Sequence, residues 1–383
     1  MSSSLPSSIA IHWPCVNHPI NVNRKNQLLA ILIWLVGCVV STIAAAQSHK
    51  VVELSTGGQT LVGLQLVQAS NLYLLLATDG QLHQYPSPPP PKAVRELRSP
   101  FQPDSAVAMR AKLVREFGPK MEVIATKHFL VVQPKGRGRH WPEMFENLHR
   151  HFTHQMRLRG VEIRSGRFPM VAVVLPDRAA LQSELTRQQI SGGNIAGVYI
   201  TASNRVYTFD GGLNESTAAV IRHEAAHQSA FNCNVHSRLN ETPKWISEGL
   251  GMMFEPSEMS SSSATDPGRS NERLNAEAIA VLRLRYADGT RSLPSDLRRL
   301  ISDDEMFQSP AEISDAYALA WLVMYFLADR KPSQFAALLN HTAARPPFQS
   351  YSSAARISDF NRIIGRTIED TAVDIKAFLP LSR

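Results

Sequence analysis

Cysteine is nearly absent. The chain has three in 383 residues, Cys15, Cys38 and Cys233, and the first two lie in its N-terminal region. With that region removed a single thiol is left, which cannot close an internal disulfide, so an apolar core has to hold the fold. At 44% apolar residues the composition supplies one. Charge is also thin, at 19%, which excludes long solvated charge tracts as a dominant feature. The net charge of +7 is scattered, with no basic run and no interleaved aromatics of the kind an RNA-binding sheet carries. It reads as a surface property with a preference for acidic partners; nucleic acid is not an expected partner. No internal repeat is visible, and the length suggests two or three folding units.

What is there begins with a targeting signal. Leu28 to Ala46 reads LLAILIWLVGCVVSTIAAA, with Arg24 and Lys25 before it and Ala44, Ala45 and Ala46 at its exit. A basic flank, an apolar centre and small exit residues are the three parts of a secretory signal. The stretch is also nearly long enough to stay as a membrane-spanning anchor. A third reading takes Leu35-Val36-Gly37-Cys38 as a lipoprotein box with Cys38 lipidated, although Val39 and Val40 prolong the apolar run where a polar tether belongs. All three place the bulk of the protein outside the cytoplasm, extracellular or periplasmic, with membrane association through this segment if it is kept.

Residues 1–46 are therefore read as signal peptide or membrane anchor. Residues 47–86 alternate in short apolar runs separated by Gly57-Gly58 and Asp79-Gly80, the pattern of a small β-module of three or four strands. PSPPPP at Pro86 to Pro91 cannot continue a sheet, and 87–118 reads as a proline-rich linker and connecting segment, helical around Ala106 to Phe117. Residues 119–259 mix strands and helices. Met121 to Pro134 predicts two strands with a turn near Lys127, Trp141 to Arg159 a helix, and Phe168 to Pro176 a buried strand. Gly197 to Phe209 predicts a hairpin, and a helix capped by Asn214 follows it. After a Ser-rich loop at Ser260 to Asn271, residues 260–383 read as almost entirely helical, ending in an amphipathic piece from Ile357 to Phe378. The fold class is α+β.

The sharp feature is His223-Glu224-Ala225-Ala226-His227. Positions four apart on a helix lie on one face, so both imidazoles can reach one zinc ion at about 2.0–2.1 Å. Glu224 flanks that face, where its carboxylate can take a proton from a water and pass it to a leaving amine. Ala218, Ala219, Val220, Ile221 and Phe231 make the same helix strongly apolar, and a His-Glu-His cluster on a helix suited to burial needs a reason that a metal supplies. A third ligand, Glu248, follows on a second predicted helix after Pro243, in Lys244-Trp245-Ile246-Ser247-Glu248-Gly249-Leu250.

These residues resemble the gluzincin branch of the zincin metallopeptidases, in which a ligand Glu on the next helix follows H-E-x-x-H. Trp245-Ile246-Ser247-Glu248-Gly249 is similar to the W-x-x-E-G pattern of that superfamily, and the stretch from Met121 onward resembles a bacterial secreted family of the peptidase-MA-like superfamily. The resemblance implies His223, His227 and Glu248 as zinc ligands and Glu224 as catalytic base. It also implies a zincin-like domain, a mostly antiparallel sheet before the active-site helix whose last strand pairs with an extended peptide substrate. Val198 to Phe209 is the candidate for that strand. Gluzincins also supply a Tyr or His that steadies the oxyanion; the candidate is Tyr317, with Tyr325 and His341 behind it.

Rival readings are weaker. The metzincin arrangement needs a His where Cys233 stands and a Gly where Ser229 stands. Cys233 reads as a small buried thiol, and His236, just past the helix end, as a non-ligand. His149, His151 and His154, with Glu146, surround Arg150 and read as a solvated helix face. The expected function is a secreted zinc peptidase acting on peptides. The alternative is a zincin-fold metal-binding scaffold or binding module at the cell envelope, without peptidase activity.

Overall fold

The computed structural model describes residues 50–56, 58–190, 195–211, 215–257 and 274–379. It divides into two compact units, one ending at Ser105 and one running on from Ala106. The apolar Leu28 to Ala46 segment, the cap read at Asn214 and the Ser-rich loop at 260–271 lie outside the described residues. Among the described residues no helix is long and apolar enough to cross a membrane.

The first unit is an antiparallel sheet of β1 (Val51–Thr56), β2 (Gln59–Ala69), β3 (Leu72–Ala77), β4 (Leu82–Tyr85) and β5 (Val94–Leu97), in the order β4-β3-β2-β1-β5. Val52 and Leu54 alternate inward from β1 and meet Tyr73 and Leu75 of β3 in a small core. The Asp79-Gly80 turn forms as read, with Gly80 at φ 85, a region that favours glycine. The proline run corrects the expected boundary. The module does not stop at residue 86, and the segment after it is not a plain linker. Pro91–Ala93 make one short turn, and β5 then pairs with β1, with Arg95 forking onto Glu53 at 3.0 and 2.8 Å. Prolines cannot donate to a strand ladder, so the run serves as the loop that carries the chain from one sheet edge, β4, to the other.

The second unit opens with α1 (Ala106–Phe117), β6 (Met121–Ala125), β7 (Phe129–Pro134), α2 (His140–Leu158), β8 (Met170–Leu175), α3 (Arg178–Arg187), β9 (Gly197–Ile200) and β10 (Arg205–Phe209). Its sheet order is β6-β7-β8-β10-β9. The α+β class holds, and within this sheet the antiparallel character belongs to the two edges. The central pairs β7–β8 and β8–β10 are parallel, because the α2 and α3 crossovers return each strand in the same sense. β8 is buried throughout, as its unbroken MVAVVL run requires. Alternation splits the sheet cleanly. Leu130, Val132, Val171 and Val173 face Leu113 of α1 and Leu181 of α3, while Phe129, Val131, Ala172 and Val174 face the main core.

Helices follow: α4 (Glu215–Asn232), α5 (Lys244–Met252), α6 (Ala276–Tyr286), α7 (Leu293–Ser302), α8 (Ile313–Arg330), α9 (Pro332–Ala343), α10 (Ser353–Ile364) and α11 (Ile368–Phe378). They are not a subdomain apart from 119–259, because one core runs from Phe129 to Ile375. α8 is apolar all round and buried accordingly, packed against α5 and α6. The amphipathic piece read from Ile357 to Phe378 is two helices. Gly365 ends α10 at φ 73, and the Thr367 hydroxyl accepts from the Asp370 N–H to start α11.

The histidines of α2 also correct the sequence reading. His149 and His151 are buried, not solvated. His149 Nδ1 lies 3.0 Å from Ser229 Oγ on α4, and its ring lies 4.6 Å from that of His128. Burial, reinforced by the neighbouring His128, lowers its pKa from 6.5 to about 4. The unfolded chain therefore binds more protons between these values, so stability present above pH 6.5 is lost as pH falls towards 4. Urea midpoints at pH 7 and pH 5 should drop for the wild type and drop less for His149→Gln; equal drops would remove His149 from the account.

Candidate metal centre

α4 is the scaffold of the site. Its Ala-rich sequence forms helix readily, and Ile221, Ala225, Ala226 and Ala230 seat it in the core. The edge strand β9 lies against it. A side chain at Gly197 would meet Val220 Cγ1 at 3.2 Å and Glu224 Cγ at 3.4 Å. α5 starts after Pro243 and packs on α8 so closely that a Cβ at Gly249 would fall 2.3 Å from the Ala320 carbonyl oxygen. These packings bring α4 and α5 together at His223, His227 and Glu248.

The three side chains converge. His223 Nε2 is 3.0 Å from His227 Nε2 and 3.3 Å from Glu248 Oε2, and His227 Nε2 is 3.5 Å from the same carboxylate oxygen. A tetrahedral ion with bonds of about 2.0–2.1 Å sets its donors about 3.3 Å apart, so these separations match the edges of such a polyhedron. All three are buried and offer one donor atom each within 4.8 Å of one another. The group could hold a metal ion, and two imidazoles with one carboxylate are the donor chemistry of a first-row divalent cation.

The electrostatics fit that reading. Burial disfavours charge on His223, yet the bonds to Glu248 and Glu255 outweigh it and push its pKa up to about 10. Burial likewise opposes charge on Glu248, and His227 and His223 overcome it, holding the carboxyl well below its ordinary range. The pocket is thus a concentration of negative charge that stabilises a cation at the imidazole nitrogens.

Five further groups complete the site. Glu255 lies past the end of α5, and its Oε1 accepts from His223 Nδ1 at 2.8 Å. That bond fixes the ring tautomer and presents Nε2 to the metal position. Asn275 Nδ2 donates to the other Glu255 oxygen at 2.6 Å, and Arg222 Nε donates to the Glu255 carbonyl at 2.6 Å. Glu224, the expected base, accepts the Tyr199 backbone N–H of β9 on Oε2 at 2.7 Å. His236 is the fifth. Its backbone N–H closes α4 on the Ala230 carbonyl, just past Asn234 at φ 64. Its ring is 1% exposed. Burial, then His227, pushes its pKa down to about 3, so the imidazole is neutral, with one donor and one acceptor.

Of the remaining sequence candidates, Tyr317 reaches the centre: its ring on α8 meets the His223 ring edge-on at 6.5 Å and packs on Phe307. Tyr325 stacks on Trp321, and His341 bonds to Asp359 at 2.9 Å, so both are engaged elsewhere. Cys233 is a buried free thiol whose pKa burial raises to about 11. The candidate substrate strand resolves into β9 at the sheet edge and β10 inside it. Sequence reasoning missed Glu255 and the Tyr199 N–H, and set His236 aside.

Residues 217–349 match the model of a family described as a protein of unknown function, DUF1570. The match takes in α5 to α9 and all of α4 from its third residue, and with them every side chain of the centre. No curated protein matches the chain significantly.

Proposed function

We propose that the protein is an exported zinc-dependent peptidase of the gluzincin type. The observation that carries this reading is the convergence of His223, His227 and Glu248 from two helices at tetrahedral spacing beside Glu224. Three protein donors leave one position for water or substrate, which separates catalytic from structural zinc sites. Zinc held there would polarise the scissile carbonyl and lower the pKa of a water. Glu224 takes the proton of that water and returns it to the leaving amine, its carboxylate steadied by the Tyr199 N–H. The Tyr317 hydroxyl donates to the carbonyl oxygen as charge builds on it. The neutral His236 imidazole, buried near His227, is a second donor of the same kind.

A second reading, a metal-binding scaffold without peptidase activity, is favoured by one observation. His223, Glu224, His227 and Glu248 are 1–3% exposed, as deep as a structural site. Purified protein should contain about one zinc per chain. It should cleave casein or a peptide library, lose that activity to a chelator and regain it with zinc, and Tyr317→Phe should lower kcat with KM held. Zinc without cleavage would establish the scaffold, and protein that takes up no zinc would reject both readings.

A further inference from the structure

The second unit carries a cavity of about 610 Å³ that the proposed peptidase chemistry does not use. It opens between the β6–β7 turn, α2, the segment at 163–170 and the last turn of α4. Lys127, Arg150, Arg157, Arg164 and Arg167 line it, and no carboxylate does among its described residues. The nearest acids are already engaged. Glu146 holds His128 Nδ1 and the Thr126 hydroxyl, each at 2.7 Å, and Glu162 reaches Arg164 at 3.6 Å in the open. Arg157, Arg167 and Lys127 have no ion-pair partner among the described residues, whereas Arg205, Arg222, Arg291 and Arg356 of the same unit are all paired.

Apart from Arg164, the cations around this concavity have no carboxylate partner among the described residues, and they repel each other unless a counter-charge enters. Their field is felt by neighbours: after burial and His128, Arg157 and Lys127 also depress His149. Half-buried Ile163 and Phe168 supply apolar surface between these cations. A cationic rim with apolar surface between its charges, at the size of a small-molecule site, selects an amphiphilic anion. Guanidinium forks match phosphate and carboxylate oxygens two at a time, which ammonium groups cannot do.

We propose that this cavity binds a small organic anion, with its phosphate or carboxylate head among Arg150, Arg157, Arg164 and Arg167 and its apolar body on Ile163 and Phe168. Asn232, the last residue of α4, and Cys233 just after it form part of the wall, so the bound anion touches the end of the helix that carries His223 and His227. The site stands on its own residues and does not depend on the peptidase reading.

Calorimetric titration of the full chain with phenyl phosphate, benzoate, inorganic phosphate and neutral benzyl alcohol tests it. Phenyl phosphate or benzoate should bind below about 1 mM, and whichever is tighter names the head group. Inorganic phosphate should bind more weakly, and benzyl alcohol not at all. Arg157→Ser with Arg167→Ser, both exposed positions, should weaken binding at least about tenfold with Tm unchanged, and Arg157→Glu should weaken it further. Absence of anion binding up to about 10 mM, or equal binding by the variants, would overturn the proposal.

Discussion

Glu224→Gln should lower kcat/KM for peptide cleavage by roughly a thousandfold, about 4 kcal/mol in transition-state stabilisation, while leaving bound zinc in place. The glutamine side chain keeps a carbonyl oxygen to accept the Tyr199 N–H, so the local geometry survives. What it loses is the ability to take a proton. Glu224 is not among the three residues whose donor atoms converge, so metal content should be that of the wild type. The two readouts must separate: activity falls and zinc stays. Undiminished cleavage would reject Glu224 as the base, and joint loss of zinc and activity would make it part of the metal shell.

Gly251→Ala should weaken zinc binding by about 10–100-fold, the range seen when the support of a ligand is disturbed. A Cβ at this position falls 2.7 Å from His223 Nε2 and 2.8 Å from its Cε1. The ring cannot swing aside freely, because Nδ1 is bonded to Glu255. Either the imidazole or α5 has to move, and both carry donor atoms of the candidate metal group. Gly249→Ala is the informative contrast. Its methyl would strike the Ala320 backbone and Met324, so the damage goes to α5–α8 packing and to Tm. Competition with a chromophoric chelator, alongside thermal melts, distinguishes a lesion at the metal from one in the core. Wild-type zinc affinity in Gly251→Ala would mean that His223 does not bind metal in this orientation.

How much of this was legible follows from the kind of signal each residue leaves. His223, Glu224 and His227 declare themselves by spacing on one helix, and Glu248 by its setting after Trp245 on the next. Glu255 has no such setting. It stands in the turn after α5, and its role depends on Asn275 and on the path of the chain back to His223. The Tyr199 contact is made by a backbone N–H, which no residue type encodes. His236 was discounted because it follows the end of α4, yet the left-handed Asn234 folds the chain back over that end. His149 could have been read correctly. It shares the buried face of α2 with Phe145, Leu148 and Phe152, and Arg150 beside it is a neighbour in sequence but not on that face. Pro86 to Pro91 misled in the opposite direction, because a run that excludes strand does not exclude a return to the same sheet. At Gly365 the punctuation was present, glycine and then a capping threonine, but apolar periodicity on both sides hid it.

The continuous core from β7 to α11 limits how the molecule can be shortened. A fragment cut at residue 259 would retain His223, His227 and Glu248, yet lose the amide that anchors Glu255 and the apolar α8 with Tyr317. Its two motif-bearing helices would be left with bare apolar flanks. Such a fragment should be insoluble, and the smallest autonomous form of this centre therefore includes the last hundred or so residues as foundation.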